Sequence, residues 1–347
     1  RGIMAHIGFG RWLGDPQEFG KGSSADPYRI YTPQQLYSVR NDLQGSYKLM
    51  ADLDMTDWCL LRGWIPIGDT NNPFIGDFNG NGHTISNISQ ALAPRVGGLF
   101  GCIQKSEIYD LTIDAFTYTS ETTVFPPYSY GAGGLAATSK GGNYIHGILI
   151  TDSSIETIYG TAGGIVGYAG SSDKDRYYRC GADTEITASL GGGIVGWSGS
   201  NDEIEQCYAV APVTSTEAMA GGIAGFWQGN ILRYCYTQCD VTGVGYCGGV
   251  CGLTAPGCGV MGSYSSKQVL GTTYSGGIGG YGAQSAYYAD CLWDKTINNT
   301  LPDPDNTGTI GYTTAEMKSR ATYLGLGWST DIWAINDGSY PTLQWQA

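Results

Sequence analysis

Short apolar runs punctuated by glycine recur along this chain. Seven copies of one phrase begin at Gly97, Gly133, Gly163, Gly192, Gly221, Gly248 and Gly276. Each reads Gly-Gly, an aliphatic residue, a small or aliphatic residue, then a small one. The steps between them are 36, 30, 29, 29, 27 and 28 residues. A fixed period in this range marks a solenoid or an array. A second column keeps time with the first. Ile186, Val213, Val241, Val269 and Ile297 lie six residues after Cys180, Cys207, Cys235, Ser263 and Cys291. Each coil therefore carries two apolar, strand-like segments at nearly fixed offsets. Interior glycine costs a helix about 1 kcal/mol relative to Ala, and the β-branched neighbours favour strand. The pattern predicts an all-β chain, a parallel β-solenoid (β-helix) whose coils stack at roughly 4.8 Å. The glycines are expected where the chain turns with positive φ, or where backbones approach too closely for a Cβ.

The pattern changes towards both ends. Residues 1–24 are glycine-punctuated and carry Ile3, Met4, Ile7, Phe9, Trp12 and Leu13. Such an arm has no core of its own. It reads as a docked or frayed terminus, or as an extended strand that pairs with another subunit. In 25–96, Thr32 and Pro33 make an N-cap and first helical position. Leu36, Val39, Arg40 and Leu43 follow helical spacing, and Tyr47 to Leu53 alternates like a strand. This reads as a cap with the first coils. The regular solenoid spans 97–297, with Val124 to Tyr128 as an excursion from one flank. In 298–347, Thr314 is expected to cap a short helix to Tyr323, and Trp333 to Leu343 reads as two strands around a turn. This predicts a second, helix-containing cap.

Composition narrows the partners. The formal net charge is −13, and only 14% of residues are charged. Nucleic acid and anionic membrane surfaces are bound through Lys/Arg clusters, and none is visible. No apolar run approaches the ~20 residues of a membrane span. The chain begins at Arg1 without a recognisable leader, which fits a processed or a trimmed chain. Tyr (25), Trp (9) and Gly (55) together suggest an exported surface protein.

Particular residues then resemble the GLUG-motif β-solenoid family of prokaryotic cell-surface and adhesin proteins. The naming step is Gly98-Leu99-Phe100-Gly101. The entry Gly22 to Ile30, the phrase Phe74 to Ile85 and the exit Cys291-Leu292-Trp293-Asp294 also resemble it, as does Thr313 to Lys318. The resemblance covers roughly residues 20–345. It implies a solenoid fold and an extracellular, cell-surface setting. The same repeat accompanies IgA-cleaving metallopeptidases, but the zinc motif His-Glu-x-x-His is absent here. His6, His83 and His146 are far apart and none precedes a Glu. His83 reads as a structural hydrogen-bonding residue.

Candidate chemistry is sparse. Cys180, Cys207 and Cys235 should stack on successive rungs, within reach of a disulfide. A buried column of free thiols fits equally well. Cys239, Cys247, Cys251 and Cys258 form a second group of disulfide candidates, and their spacings lack the knuckles of zinc sites. Asp303 and Asp305 stand in a partial match to a calcium loop; no other cofactor is expected. Asp173, Asp175, Asp202, Glu203 and Glu205 read as a solvated loop flank beside Lys174 and Arg176. Asp52, Asp54 and Asp57 read as capping residues. Asn87 and Asn298 stand in glycosylation sequons. Tyr208, Tyr236 and Tyr264 share one coil position, directly after the Cys/Ser column. They are expected to form a surface aromatic ladder, because the preceding residue points inward.

The expectation is a non-enzymatic structural or adhesive surface protein. It self-associates, into a filament if the arm contact does not close. A monomeric carbohydrate- or host-binding adhesin module is the alternative. A polysaccharide-degrading β-helix, which needs two facing carboxylates, is the third reading.

Overall fold

A computed structural model of the chain describes residues 20–91, 96–120, 131–283, 285–298 and 308–347. The arm residues Ile3, Met4, Ile7, Phe9, Trp12 and Leu13 lie outside the described residues. So do the calcium candidates Asp303 and Asp305 and the excursion around Val124.

The molecule is a parallel β-solenoid of about eight coils with few short helices. Each strand of the coils pairs in parallel with its counterpart one coil away. Tyr47, Phe78, Ile108, Ile145, Tyr177, Ile204, Leu232, Val260 and Tyr288 follow each other in register and are buried. A second inward column runs Tyr118, Ile155, Ile186, Val213, Val241 and Val269. The expected last member, Ile297, departs from it. That residue is 40% exposed, and the buried Asn298 accepts a bond from Val269 N, as a main-chain carbonyl does for Val213 and Val241. One apolar core therefore runs the length of the coil, because alternate residues of each strand face it.

The Gly-Gly steps resolve in favour of close approach. Gly133, Gly163, Gly192, Gly221, Gly248 and Gly276 are register partners. A Cβ on Gly193 would lie 2.1 Å from the Gly222 carbonyl oxygen, and one on Gly222 2.1 Å from that of Gly249. None of these glycines has positive φ.

Positive φ appears at another corner. Asp110, Gly147, Arg179, Gln206, Tyr234, Gly262 and Asp290 all lie near φ +50 to +60°. One such residue follows each of the strands Glu107–Asp114, Tyr144–Thr157, Arg176–Tyr178, Glu203–Glu205, Ile231–Arg233, Gly259–Met261 and Tyr287–Ala289, or bends it part-way. Left-handed residues are costly unless glycine, so their recurrence fixes a turn between two faces.

At one end, Thr32 accepts from Gln35 N to cap the helix Pro33–Tyr37, and Leu36 and Val39 enter the core. A helix Thr56–Arg62 follows that sequence reasoning missed. At the other end Thr313, not Thr314, is the N-cap, in a capping box with Glu316. Two short helices, Thr314–Met317 and Arg320–Gly325, precede an antiparallel pair, Trp333–Ala334 with Thr342–Leu343. This segment lies along the side of the coils, over a second apolar cluster.

Candidate functional site

On the strands preceding the left-handed corner, residues alternate outward, inward, outward. This gives two parallel outward columns across the coils. One runs Arg29, Lys48, Asn79, Tyr109, His146, Tyr178, Glu205, Arg233. The other runs Asp77, Glu107, Tyr144, Arg176, Glu203, Ile231. All of these side chains are half-buried or exposed. The Tyr109 and His146 rings stack with centroids 4.9 Å apart at 7°, and Tyr144 stacks on His146 at 4.3 Å. Glu107 Oε1 lies 3.1 Å from His146 Nε2 and holds that ring.

Two hollows flank the aromatic stack. One, of about 380 Å³, is lined by Arg29, Lys48, Asp77, Asn79, Glu107 and Tyr109 among others. The other, of about 260 Å³, is lined by Tyr144, Arg176, Tyr177, Tyr178, Glu203 and Glu205. Ion pairs fix its rim: Lys174–Glu203 at 2.7 Å, Arg176–Glu203 at 3.3 Å and Arg233–Glu205 at 2.8 Å. The face therefore combines flat aromatic surface with charged side chains held in place. Such a surface can take a polar ligand by ring stacking and hydrogen bonding.

A polar ladder lies beneath one edge. Each side chain accepts the backbone N–H of the coil before it: Asn143 from Ser106, Asp175 from Asn143, Asp202 from Asp175. Asp175 and Asp202 are each 1% exposed, so the solvated-flank reading is wrong for both. Asp202 receives a backbone donor on each oxygen, which replaces water there, whereas Asp175 is bonded by Asn143 through Oδ1 alone. Burial pushes the Asp175 carboxyl up, against the opposing hydrogen bonds from Asn143. Burial and then the neighbouring Asp175 push Asp202 well up. Asp173, by contrast, is exposed.

The other predicted residues fall elsewhere. Tyr208, Tyr236 and Tyr264 do stack, at 5.3 and 5.4 Å and within 8° of parallel. They are not a surface ladder. Tyr236 is 3% and Tyr264 0% exposed, because the C-terminal segment covers them. Trp328 and Trp333 pack on Tyr264, and Trp345 reaches Tyr208 and donates its indole N–H to Gln206 O. Gly181 makes room at the start of the column, where a Cβ would collide with the Tyr208 ring.

All ten cysteines are free. Cys180, Cys207, Cys235, Cys239, Cys247, Cys251 and Cys258 are buried thiols, not disulfides. Cys180 N donates to Cys207 Sγ at 3.4 Å, so that thiol serves as a small apolar residue with a weak acceptor. Among the described residues no group of three His, Cys, Asp or Glu converges as a metal would need.

Asn298 is 3% exposed, with Nδ2 bonded to Lys267 O, so it is no glycan acceptor; Asn87 is exposed. Asp52 accepts from Thr84 N and meets His83 Nδ1 at 3.0 Å. Bonds from Thr56, then Asn87, hold the Asp54 carboxyl down at about 2. Sequence reasoning missed the outward face itself. Its signal was present, two and four residues before Cys180 (Tyr178, Arg176) and before Cys207 (Glu205, Glu203).

Comparisons with known proteins agree with the architecture. The chain superimposes on the crystal structure of a Bacteroides ovatus protein provisionally named an immunoglobulin A1 protease. The TM-score is 0.65, covering 94% of each chain at 21% identity, a likeness of fold. It is 34% identical over 132 residues to a provisionally named Gly-rich membrane protein of Evansella cellulosilytica, covering 36% of this chain and 14% of that one. It is 29% identical over 146 residues to halomucin of Haloquadratum walsbyi, covering 38% of this chain and 2% of the relative. The matches thus span a small part of either relative's length. No protein-family model matches, so the GLUG resemblance rests on the quoted residues alone. No helix among the described residues is long and apolar enough to cross a membrane.

Proposed function

We propose that this chain is a non-enzymatic, extracellular binding module of a cell-surface protein. Its working surface is the outward face around Tyr109, Tyr144, His146 and Tyr178. The observation that carries the reading is the ring stack between two polar hollows, on strands fixed by a continuous core. Rigid elements hold a site better than loops do. Surface glycans are the ligand class that such a face suits. Relatives named as a membrane protein and as halomucin are compatible with the setting. The carboxylates of the face are engaged: Glu203 and Glu205 hold cations, Glu107 holds His146, and Asp77 accepts from the Ser46 hydroxyl. Binding suits this arrangement better than glycosidic cleavage. Glycan-array binding of the untagged chain tests the reading. Retention on at least one glycan class, reduced by Tyr144→Ala, is expected; no retention on any glycan sinks it.

Self-association is the second reading. Val244 (50% exposed), Leu270 (51%) and Tyr274 (43%) form an apolar patch on neighbouring coils. Exposed apolar patches mark interaction sites. Electron microscopy of the untagged protein with and without residues 1–24 tests it. Filaments lost on deletion support the arm as the contact; dispersed rods in both samples remove the idea.

A further inference from the structure

We infer that the ligand of this face is a linear, uncharged glycan lying along the solenoid axis, across the strands rather than along them. This rests on the binding reading above and adds the ligand's direction, length and charge. The direction follows from the columns. Asn79, Tyr109, His146 and Tyr178 are register partners on four successive coils. Their repeat is the sheet spacing of roughly 4.8 Å. A pyranose ring in an extended chain occupies about one such step, so successive sugars meet successive side chains. Along a strand the outward positions are interrupted after two residues, because the left-handed corner at Asp110, Gly147, Arg179 and Gln206 turns the chain away.

The length follows from the hollows. They lie on the same columns at either side of the Tyr109–His146–Tyr144 stack. A ligand that fills both must bridge the stack, and a disaccharide is too short to do so.

The charge follows from the pairing of the face. Glu203 takes Lys174 and Arg176, Glu205 takes Arg233, and Arg29 takes Asp26. Asp77 and Glu107 add carboxylates beside Lys48. No surplus of cations remains to draw a polyanion, and the chain as a whole carries −13. A neutral chain escapes this repulsion and can still donate and accept hydrogen bonds along its hydroxyl edges.

Calorimetry with cello- and chito-oligosaccharides of increasing length, and with polygalacturonate, tests the inference on the full chain. Affinity should climb with each added sugar through at least the tetrasaccharide. Tyr144→Ala should weaken short and long oligomers alike, by tenfold or more. Lys48→Ala, in one hollow, should weaken the long oligomers and leave the disaccharide unchanged. Tyr144 is 38% exposed and Lys48 half-buried, and an unchanged melting temperature would confirm that the variants fold. Affinity that stops rising at the disaccharide overturns the axial arrangement while leaving a glycan site. Tighter binding of polygalacturonate overturns the neutral class. Binding of none of these sugars, nor of any on an array, overturns both the inference and the function beneath it.

Discussion

Two stacks of rings stand on different faces and different coils of the same solenoid, and their fates differ. Tyr208, Tyr236 and Tyr264 form the more regular stack, yet Tyr236 and Tyr264 are shut from solvent by Trp328, Trp333, Leu343 and their neighbours. Tyr109, His146 and Tyr144 also make three rings, over two coils instead of three, and stay accessible. Both point out of the coil. Pointing outward fixes only which side of the strand a ring occupies. What the rest of the chain lays over it decides between a second core and a binding face. The residues beneath differ too. Free thiols stand next to the covered stack, and hydrogen-bonded Asn143, Asp175 and Asp202 stand next to the open one.

The sharpest way to break this comparison is Tyr264→Ala. The side chain is fully buried and its hydroxyl donates to Pro341 O. Removing a ring of this size should cost about 3–5 kcal/mol, read as a lower urea midpoint with early proteolysis of the C-terminal segment. A cost below about 1 kcal/mol would mean that the covering segment is not part of the folded unit. Trp345→Ala is milder. It forfeits one indole hydrogen bond and the contact with Tyr208, together about 1–2 kcal/mol. Protease nicking confined to the last residues is expected, and unchanged resistance would place the anchor elsewhere. On the open stack, Tyr144→Ala should move stability by no more than about 0.5 kcal/mol while weakening glycan binding. A large loss of stability would show that this ring, too, is structural.

The smallest effect is one of shape with pH. The raised Asp175 and Asp202 pKa values mean that the folded state holds protons more tightly than the unfolded one. Their contribution is fully present below the ordinary carboxylate value of about 3.9 and is lost as pH rises through the folded values. Asp175→Asn keeps an oxygen to accept from Asn143 and removes the buried charge. Its melting temperature should match the parent near pH 4 and exceed it increasingly towards pH 7. A constant difference across that window would show that burial does not raise the folded-state carboxyl above its unfolded value. Asp54, held down at about 2, acts with the opposite sign. Its contribution is present above the ordinary value and lost as pH falls towards 2.

Much of the coil was legible because stacking demands repetition. The Gly-Gly steps and the Ile186, Val213, Val241, Val269 column follow directly from period and offset. The left-handed corner was not, since Asp, Arg, Gln and Tyr occupy it as well as Gly. Composition carries no trace of a conformation that tertiary pairing imposes. The burial of Asp175 and Asp202 escaped for a related reason. A carboxylate that accepts backbone N–H groups from the adjacent coil looks, in sequence, like one that faces water. The covering of the tyrosine stack depends on residues far along the chain, 77 positions away for the Tyr264–Pro341 bond and 110 for Tyr236–Gln346, beyond any local pattern. The binding face was legible in principle, at fixed offsets from the cysteine column, but its side chains change identity from coil to coil.

The C-terminal segment has a mechanical consequence. A stack of coils held only by neighbours frays from its end, one rung at a time. Here a single stretch of chain grips Tyr208, Tyr236, Tyr264 and Leu292, which belong to four successive rungs. It works as a splint. Pulling on the last strand of the coils, Thr309–Tyr312, loads all four rungs together in shear. This end of the rod should yield as one block, at a single force, where an unsplinted solenoid would unzip in small steps.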